Sequence, residues 1–373
     1  MNGQDDFEIN QLLESDLRAI RQRLFTKVVN SNRSQAVLDV QRLLADEIMR
    51  CESIRKHDKR LIFKKHLNRL RYYGDCISWK FLHAHTIRQL SKQNTPVPSI
   101  INQKESFEHV FRIAEKAVSM LKVPVIISDI TNCLKIGDII IAAHPEKPII
   151  VECKRSKNTR YDAIGRRGRQ LQRMNKVVEY LRNGKVYDGE KEILTIEGTV
   201  PPKYNWITIN ELLHEAEKSG QSTRIVSKYE VLYVVSNWKR FDPSYGLEHA
   251  ELDLNNPIVT IHTEAINNTI SLVPPLSIWE VDDKFKFRLT EGELLVVHIF
   301  NPRGLIGIGN NYGSITGVDI EIPNTKELGY EVTKNDEKIL LSSTFMTHIS
   351  YGYQTIESVA DAMIETGALP RSR

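Results

Sequence analysis

Gly137-Asp138-Ile139-Ile140-Ile141-Ala142-Ala143-His144-Pro145-Glu146-Lys147-Pro148-Ile149-Ile150-Val151-Glu152-Cys153-Lys154 decides how the centre of this chain folds. Two apolar, largely β-branched runs flank His144-Pro145-Glu146-Lys147, whose proline and polar residues suit a tight connection. The pattern predicts a hairpin with strands over 136–143 and 148–154. Continuous apolar runs imply strands buried on both faces. Closing the hairpin sets Asp138 across from the 152–154 segment. Strand alternation then puts Glu152 and Lys154 on one face and turns Cys153 to the opposite, packed face.

Two carboxylates and an ammonium thus converge at the end of apolar strands. Such charges are costly to bury unless they pair or hold a metal. Hard oxygen ligands suit Mg²⁺ (or Mn²⁺), and a lysine beside the ion orients a water or steadies a pentacovalent phosphate. A structural ion pair is the plainer alternative.

The residues upstream form a helix. Phe107, Val110, Phe111, Ala114, Ala117, Val118 and Leu121 fall on one stripe, and Ser106 suits its N-cap. Glu108 and Glu115, two turns apart, share a side of it.

In this order of elements the chain resembles the PD-(D/E)xK nuclease superfamily, with its restriction-endonuclease-like fold. Asp138, Glu152 and Lys154 match the family's strand motif, and Gly137-Asp138 stands where the family's name has Pro-Asp. Phe107-Glu108 resembles the opening of the first helix in the branch of Holliday-junction resolvases and restriction enzymes acting on modified DNA. The resemblance spans roughly residues 100 to 236. It implies a Mg²⁺-dependent endonuclease that hydrolyses phosphodiester bonds of DNA. Asp138, Glu152, Glu108 and the carbonyl of Cys153 then bind the metal, and Lys154 acts on the water or the developing charge; Glu115 is the second choice for the helix acid. Gln170 and Gln172 have Met174 and Lys176 four residues on, so the Gln-x-x-x-Tyr motif of the exonuclease-like branch is absent.

From Lys154 to Arg182 there are ten Lys or Arg against two acids. Leu171, Met174, Val177, Val178 and Leu181 recur at helical spacing within it. In a chain balanced overall at 51 basic to 47 acidic residues, this asymmetry marks Arg155, Arg166, Arg167, Arg169 and Arg173 as candidate phosphate contacts. A solvated basic face is the alternative.

The flanks differ in character. Residues 10–92 read as helical throughout, with stripes at Leu12, Leu13, Leu17, Ile20, Leu24, Val28 and at Ala36, Val37, Val40, Leu43, Leu44, Ile48. From Arg55 to Lys92, eleven basic residues interleave with Phe63, Tyr72, Tyr73, Trp79 and Phe81. This is either a DNA-facing helical domain or a packing or dimerisation module with snorkelling lysines. His57, His66, His83 and His85 form no metal box. Residues 209–218 predict a helix capped by Thr208, and 229–236 a strand completing the central sheet. Beyond Asp242-Pro243, strands are expected at 258–262, 270–273, 294–300 and 339–344, and a helix over 356–365. The glycine-rich 304–309 lacks a βαβ context and reads as a turn; His262 and His298 read as structural.

The expected architecture is therefore α/β: a basic helical domain over 1–95, a restriction-endonuclease-like domain with a mixed sheet over 96–240, and a β-rich domain over 241–373. With 41% hydrophobic and 26% charged residues the composition is that of an ordinary globular protein. No apolar run spans a bilayer and no signal peptide is visible, so a cytoplasmic location is expected. Cys51, Cys76, Cys133 and Cys153 lack zinc spacing and read as reduced thiols. DNA is the expected partner, with RNA second; a homo-oligomer or a partner defence subunit fits the same pattern. Restriction or anti-phage defence is the expected role, with repair or recombination next. A binding or assembly subunit whose nuclease fold is regulatory or inactive is the competing class.

Overall fold

The computed structural model describes residues 3–91, 98–153, 166–188, 191–194, 201–236, 238–245, 247, 252–254, 257–262, 274–306, 313–322, 325–334, 336–341, 349–350 and 353–366. Lys154, Arg155, the expected strand at 270–273 and the glycines at 307 and 309 lie outside these residues. The fold is mixed α/β, and every described strand pairing is antiparallel.

The chain divides into two compact units, Met1–Thr195 with Ile266–Ile278, and Ile196–Ala265 with Trp279–Arg373. This differs from the expected boundaries near 95 and 240. In the first unit the helical segment is bonded to the central strands rather than separated from them. Helices α1 (Gly3–Asn30), α2 (Ser34–His57), α3 (Leu61–Phe81) and α4 (Ala84–Leu90) follow one another. Leu17, Leu24, Val28, Val37, Leu44 and Ile48 from the expected stripes are buried. So are Phe63, Tyr72, Tyr73 and Trp79, which makes these aromatics core rather than surfaces for stacking bases.

The central sheet has three strands, β1 (Val125–Ile127), β2 (Ile139–Ile141) and β3 (Ile149–Val151), in that order. Ile139 pairs with Ile127 on one side and with Val151 on the other. The hairpin is thus present with shorter strands than expected. β2 is buried throughout, but Ile149 on β3 is 54% exposed. Burial on both faces therefore fails for β3, which is an edge strand among the described residues.

The other edge is covered by a side chain. Gln41 on α2, fully buried, donates Nε2–H to the Val125 carbonyl at 2.7 Å and accepts the Ile127 N–H at 2.8 Å. One carboxamide reproduces the donor–acceptor pair of a neighbouring strand and satisfies the buried edge of β1. Asp75 on α3 similarly accepts the N–H groups of Asn132 and Cys133, at 2.6 and 2.8 Å.

Helix α5 (Lys104–Leu121) packs against β1 and β2. Phe107, Val110, Phe111, Ala114 and Val118 are buried, while Leu121 at the end of the stripe is exposed. Ser106 is not its cap. The 3₁₀ turn Ile101–Gln103 runs directly into the helix, which begins at Lys104 and leaves Ser106 inside the first turn. Helix α6 (Arg166–Asn183) buries Val177, Tyr180 and Leu181, with Tyr180 against His85 at 5.2 Å between ring centroids. Hairpin β4 (Lys185–Asp188) and β5 (Lys191–Leu194) follows.

The second unit carries α7 (Trp206–Ser219), which starts two residues before Thr208, with Asn205 at the N-cap position. Thr208 is therefore not the cap. A four-stranded sheet orders β6 (Gln221–Ser227), β7 (Glu230–Val235), β9 (Leu295–Phe300) and β8 (Ile258–Ile261). Strand β7, expected to complete the central sheet, belongs here instead. The short Lys228-Tyr229 link makes it fold back on β6 as a hairpin partner. A three-stranded meander, β10 (Ser314–Ile322), β11 (Thr325–Lys334) and β12 (Glu337–Leu341), and a helix over Ile356–Thr366 complete the unit. Their core joins Phe300, Ile315, Tyr330, Val332, Val359 and Met363. His262 is fully buried, which pushes it down to about 3 and keeps it neutral.

Candidate active site

The register of the central sheet brings the ends of its strands together. With Ile127, Ile139 and Val151 in one row, Asp138 precedes β2 beside the residues that follow β1 and β3. The ladder continues one step further: Asp138 N–H donates to the Val151 carbonyl at 2.9 Å, and Ser128 N–H donates to the Asp138 carbonyl at 3.0 Å. The Asp138 carboxylate accepts the Cys153 N–H at 2.6 Å. Asp138 is therefore held directly against the Glu152-Cys153 segment.

Gly137 makes this approach possible. Its φ is +79°, in the left-handed region, and a Cβ there would lie 2.5 Å from Ile150 Cγ2. Only glycine takes this conformation without backbone strain, and only glycine leaves room for β3.

Burial raises the Asp138 carboxyl above its ordinary range, with the Cys153 N–H and the nearby His109 opposing the rise. Asp129, which carries no motif in the sequence, is close enough to repel it. Burial and then Asp138 push Asp129 up to about 6, against the pull of Arg71. It sits in the 3₁₀ turn Ser128–Ile130 after β1, and Arg71 Nη1 donates to its backbone carbonyl at 2.7 Å. The Cys153 thiol registers the same field. Burial, followed by Asp138, Glu152 and Asp129, moves it up to about 12. Cys153 is half-buried rather than packed on an inner face, because β3 ends at Val151 and the residue lies beyond the strand.

Glu108 is engaged elsewhere. Its carboxylate accepts from Arg42 Nη1 on α2 at 2.8 Å, and this hydrogen bond holds it below its ordinary range. The α5 residue near enough to act on Asp138 is its neighbour His109, whose buried Nε2 has no hydrogen-bond partner among the described residues. Glu115 is exposed. Arg173 on α6 is also exposed, whereas the side chains of Arg166, Arg167 and Arg169 lie outside the described residues, as do Lys154 and Arg155 entirely.

The carboxyls that act on one another here are Asp138 and Asp129, both hard oxygen donors, with the backbone of Glu152-Cys153 beside Asp138. Among the described residues no three His, Cys, Asp or Glu side chains form a group that could hold a metal ion. Mg²⁺ requires less than that: it keeps several waters and binds through one or two carboxylates. Two adjacent half-buried carboxyls, each raised by its partial burial, present the electrostatic surroundings such a cation would relieve. No helix among the described residues is long and apolar enough to cross a membrane. No known protein family, curated protein or solved structure matches the chain.

Proposed function

We propose that the protein is a Mg²⁺- or Mn²⁺-dependent endonuclease of the restriction-endonuclease-like class, acting on DNA. The observation that carries this reading is the hydrogen bond between the Asp138 carboxylate and the Cys153 N–H, within the Glu152-Cys153-Lys154 tripeptide. It holds the first acid of the motif against the backbone of the tripeptide that carries the second, at the shared end of adjacent strands.

Asp138 and Glu152 would hold the ion, with the carbonyl of Cys153 as a further oxygen and Asp129 as an added carboxylate. When bound, the ion supplies Lewis-acid polarisation of a phosphoryl oxygen and a lowered pKa for water. The chain's own groups do the rest. The Cys153 N–H fixes the Asp138 rotamer, Gly137 admits β3 alongside Asp138, and Lys154 orients the attacking water or meets developing charge. Glu108 acts more weakly because Arg42 already meets its charge. Arg155, Arg166, Arg167, Arg169 and Arg173 bind the substrate backbone.

The cellular role that goes with this reading is restriction or anti-phage defence, with repair or recombination second. The Arg42–Glu108 pair favours one alternative, a binding or assembly subunit whose nuclease fold is regulatory. Plasmid cleavage separates the two. The purified protein should nick or cut plasmid with Mg²⁺ or Mn²⁺, stop in EDTA, and be inhibited by Ca²⁺. Asp138→Ala, Glu152→Ala and Lys154→Ala should each abolish cleavage while leaving the fold intact by circular dichroism, and Glu108→Ala should be milder. RNA run in parallel decides the substrate. Undiminished cleavage in excess EDTA, or wild-type rates in any of the first three variants, would sink the proposal.

A further inference from the structure

Within the first unit, α2, α3 and the segment around residues 99–102 border an open cleft of about 430 Å³. That is the scale of a small-ligand pocket. Its lining includes Arg55, Lys56, Arg71, Asn68, Asn102 and Asn132. Lys59 adds a fourth cation, and the acid among the lining residues is Glu52. Glu52 is fully committed. Arg71 Nη2 donates to its Oε1 at 3.0 Å, and Ser99 Oγ and Ile101 N–H both donate to its Oε2 at 2.9 Å. Arg71 and Glu52 cancel, and Lys59 Nζ donates to the Arg55 carbonyl at 2.6 Å.

Arg55 and Lys56 are left over. Neither side chain has an ion-pair or hydrogen-bond partner among the described residues, and the Arg55 Nε–H is buried without an acceptor there. A buried cationic donor without an acceptor loses its hydration and gains nothing in return. Their place in the last turn of α2 explains why cations are tolerated there, but not why one donor is sealed from water beside a cleft. Carbonyls of that turn would repel an anion, and two of them are already met: Asp58 N–H donates to the Ile54 carbonyl, and Lys59 to that of Arg55. Asp58 itself is taken up by Arg60 at 2.7 Å.

The amides complete the pattern. Asn132 gives its backbone N–H and its Nδ2–H to Asp75, which leaves its side-chain oxygen as an acceptor. The carboxamides of Asn68 and Asn102 have no hydrogen bond among the described residues. A carboxamide presents a donor beside an acceptor, the combination that reads the edge of a nucleobase.

We propose that this cleft binds a free nucleotide, with Arg55 and Lys56 on its phosphates and Asn68 and Asn102 on its base or sugar. The proposal stands independently of the nuclease reading. Isothermal titration of the full chain with ATP, inorganic tripolyphosphate and adenosine tests it. ATP and tripolyphosphate should bind saturably. In the double variant Arg55→Gln/Lys56→Gln both should weaken by about tenfold or more, since two charge-assisted hydrogen bonds to phosphate are removed. In Asn68→Ala/Asn102→Ala, ATP alone should weaken while tripolyphosphate is unchanged. Lys176→Gln on exposed α6 should match wild type for all probes. The substituted side chains make no bond among the described residues, so melting curves should stay unchanged; Lys56→Glu is the second variant if the double variant melts early. Absence of saturable ATP binding, unchanged affinity in Arg55→Gln/Lys56→Gln and Lys56→Glu, or loss of binding seen only with a DNA oligonucleotide would each overturn the assignment.

Discussion

Replacing Gly74 by alanine sets two effects of opposite sign against each other. Gly74 lies inside α3, where alanine is favoured over glycine by about 1 kcal/mol on helix propensity. Packing argues the other way. A Cβ at Gly74 would sit 2.2 Å from the Ile130 carbonyl oxygen and 2.9 Å from its carbon, far inside ordinary contact. The obstacle is backbone, so no rotamer change relieves it. Nor is that backbone free to swing: Thr131 N–H closes the turn on Ser128, Arg71 holds the Asp129 carbonyl, and Asp75 holds the next two N–H groups. Overpacking a core typically costs about 1–3 kcal/mol, and a fixed backbone partner belongs at the upper end. Against the propensity gain, a net loss of about 2 kcal/mol remains, or roughly 4–8 °C in melting temperature for a unit of this size. Calorimetry on the full chain reads it. The same displacement moves Asp129 relative to Asp138, so cleavage should fall alongside stability. A Gly74→Ala variant that melts at or above the wild-type temperature would refute the packing argument and show that propensity decides.

Gln41→Met keeps the shape of the side chain but leaves the Val125 carbonyl and Ile127 N–H without partners in a fully buried place. Each unsatisfied group should cost about 1–3 kcal/mol in urea denaturation, and a total below that range would mean that water reaches the β1 edge. Burial alone would raise Glu47, but hydrogen bonds from Arg50 and His66 bring it from 4.5 to about 2. Because its folded value is depressed, its contribution is present at neutral pH and lost as pH falls from about 4.5 through about 2. The stability gap between wild type and Glu47→Gln should therefore close across that window; a gap independent of pH would contradict it. Reversing Arg166, Arg167, Arg169 and Arg173 together should weaken DNA binding and flatten its salt dependence. The slope should fall by roughly 0.9 for each duplex phosphate that the variant no longer neutralises. An unchanged slope would make the cluster a solvated face.

The parts of the fold visible in the sequence are those whose periodicity is set by one buried face. The stripes of α2 and α5 and the apolar runs around Pro145 are of this kind, and the helices and hairpin fall where they point. What escaped was decided by partners distant in the chain. Asp129 follows a three-residue strand with no motif, and the pairing of Ile127 with Ile139 is what brings it beside Asp138. Gln41 looks like any helix glutamine until β1 lies against it. Phe285, Phe287 and Leu289 alternate with charged residues at a strand-like period, yet form the helix Asp283–Glu291 with all three buried. Strands β10 and β11 do carry period-two alternation, at Val318, Ile320 and Ile322 and at Leu328, Tyr330 and Val332, and their pairing across nine registered positions was legible there although the expected strands omit it.

The same distinction bears on the central question of the site, because an ion pair and a metal centre share one sequence pattern and differ in who neutralises whom. In a structural ion pair the carboxylates would face the nearest arginines. Here Arg71 directs one nitrogen to the Asp129 carbonyl and another to Glu52, and Arg42 is turned to Glu108. Asp129 and Asp138 have no ion-pair partner among the described residues, and burial raises both. Two neighbouring carboxyls in that condition destabilise the fold at neutral pH, a cost expected where a site serves something other than stability. Lys154 or a bound divalent cation is what would offset it. Asp138→Asn should then raise the melting temperature in EDTA and abolish the stabilisation that Mg²⁺ gives wild type. If Asp138→Asn instead lowers stability in EDTA by as much as in Mg²⁺, the carboxylate is a structural hydrogen-bond acceptor for Cys153 and the metal reading fails.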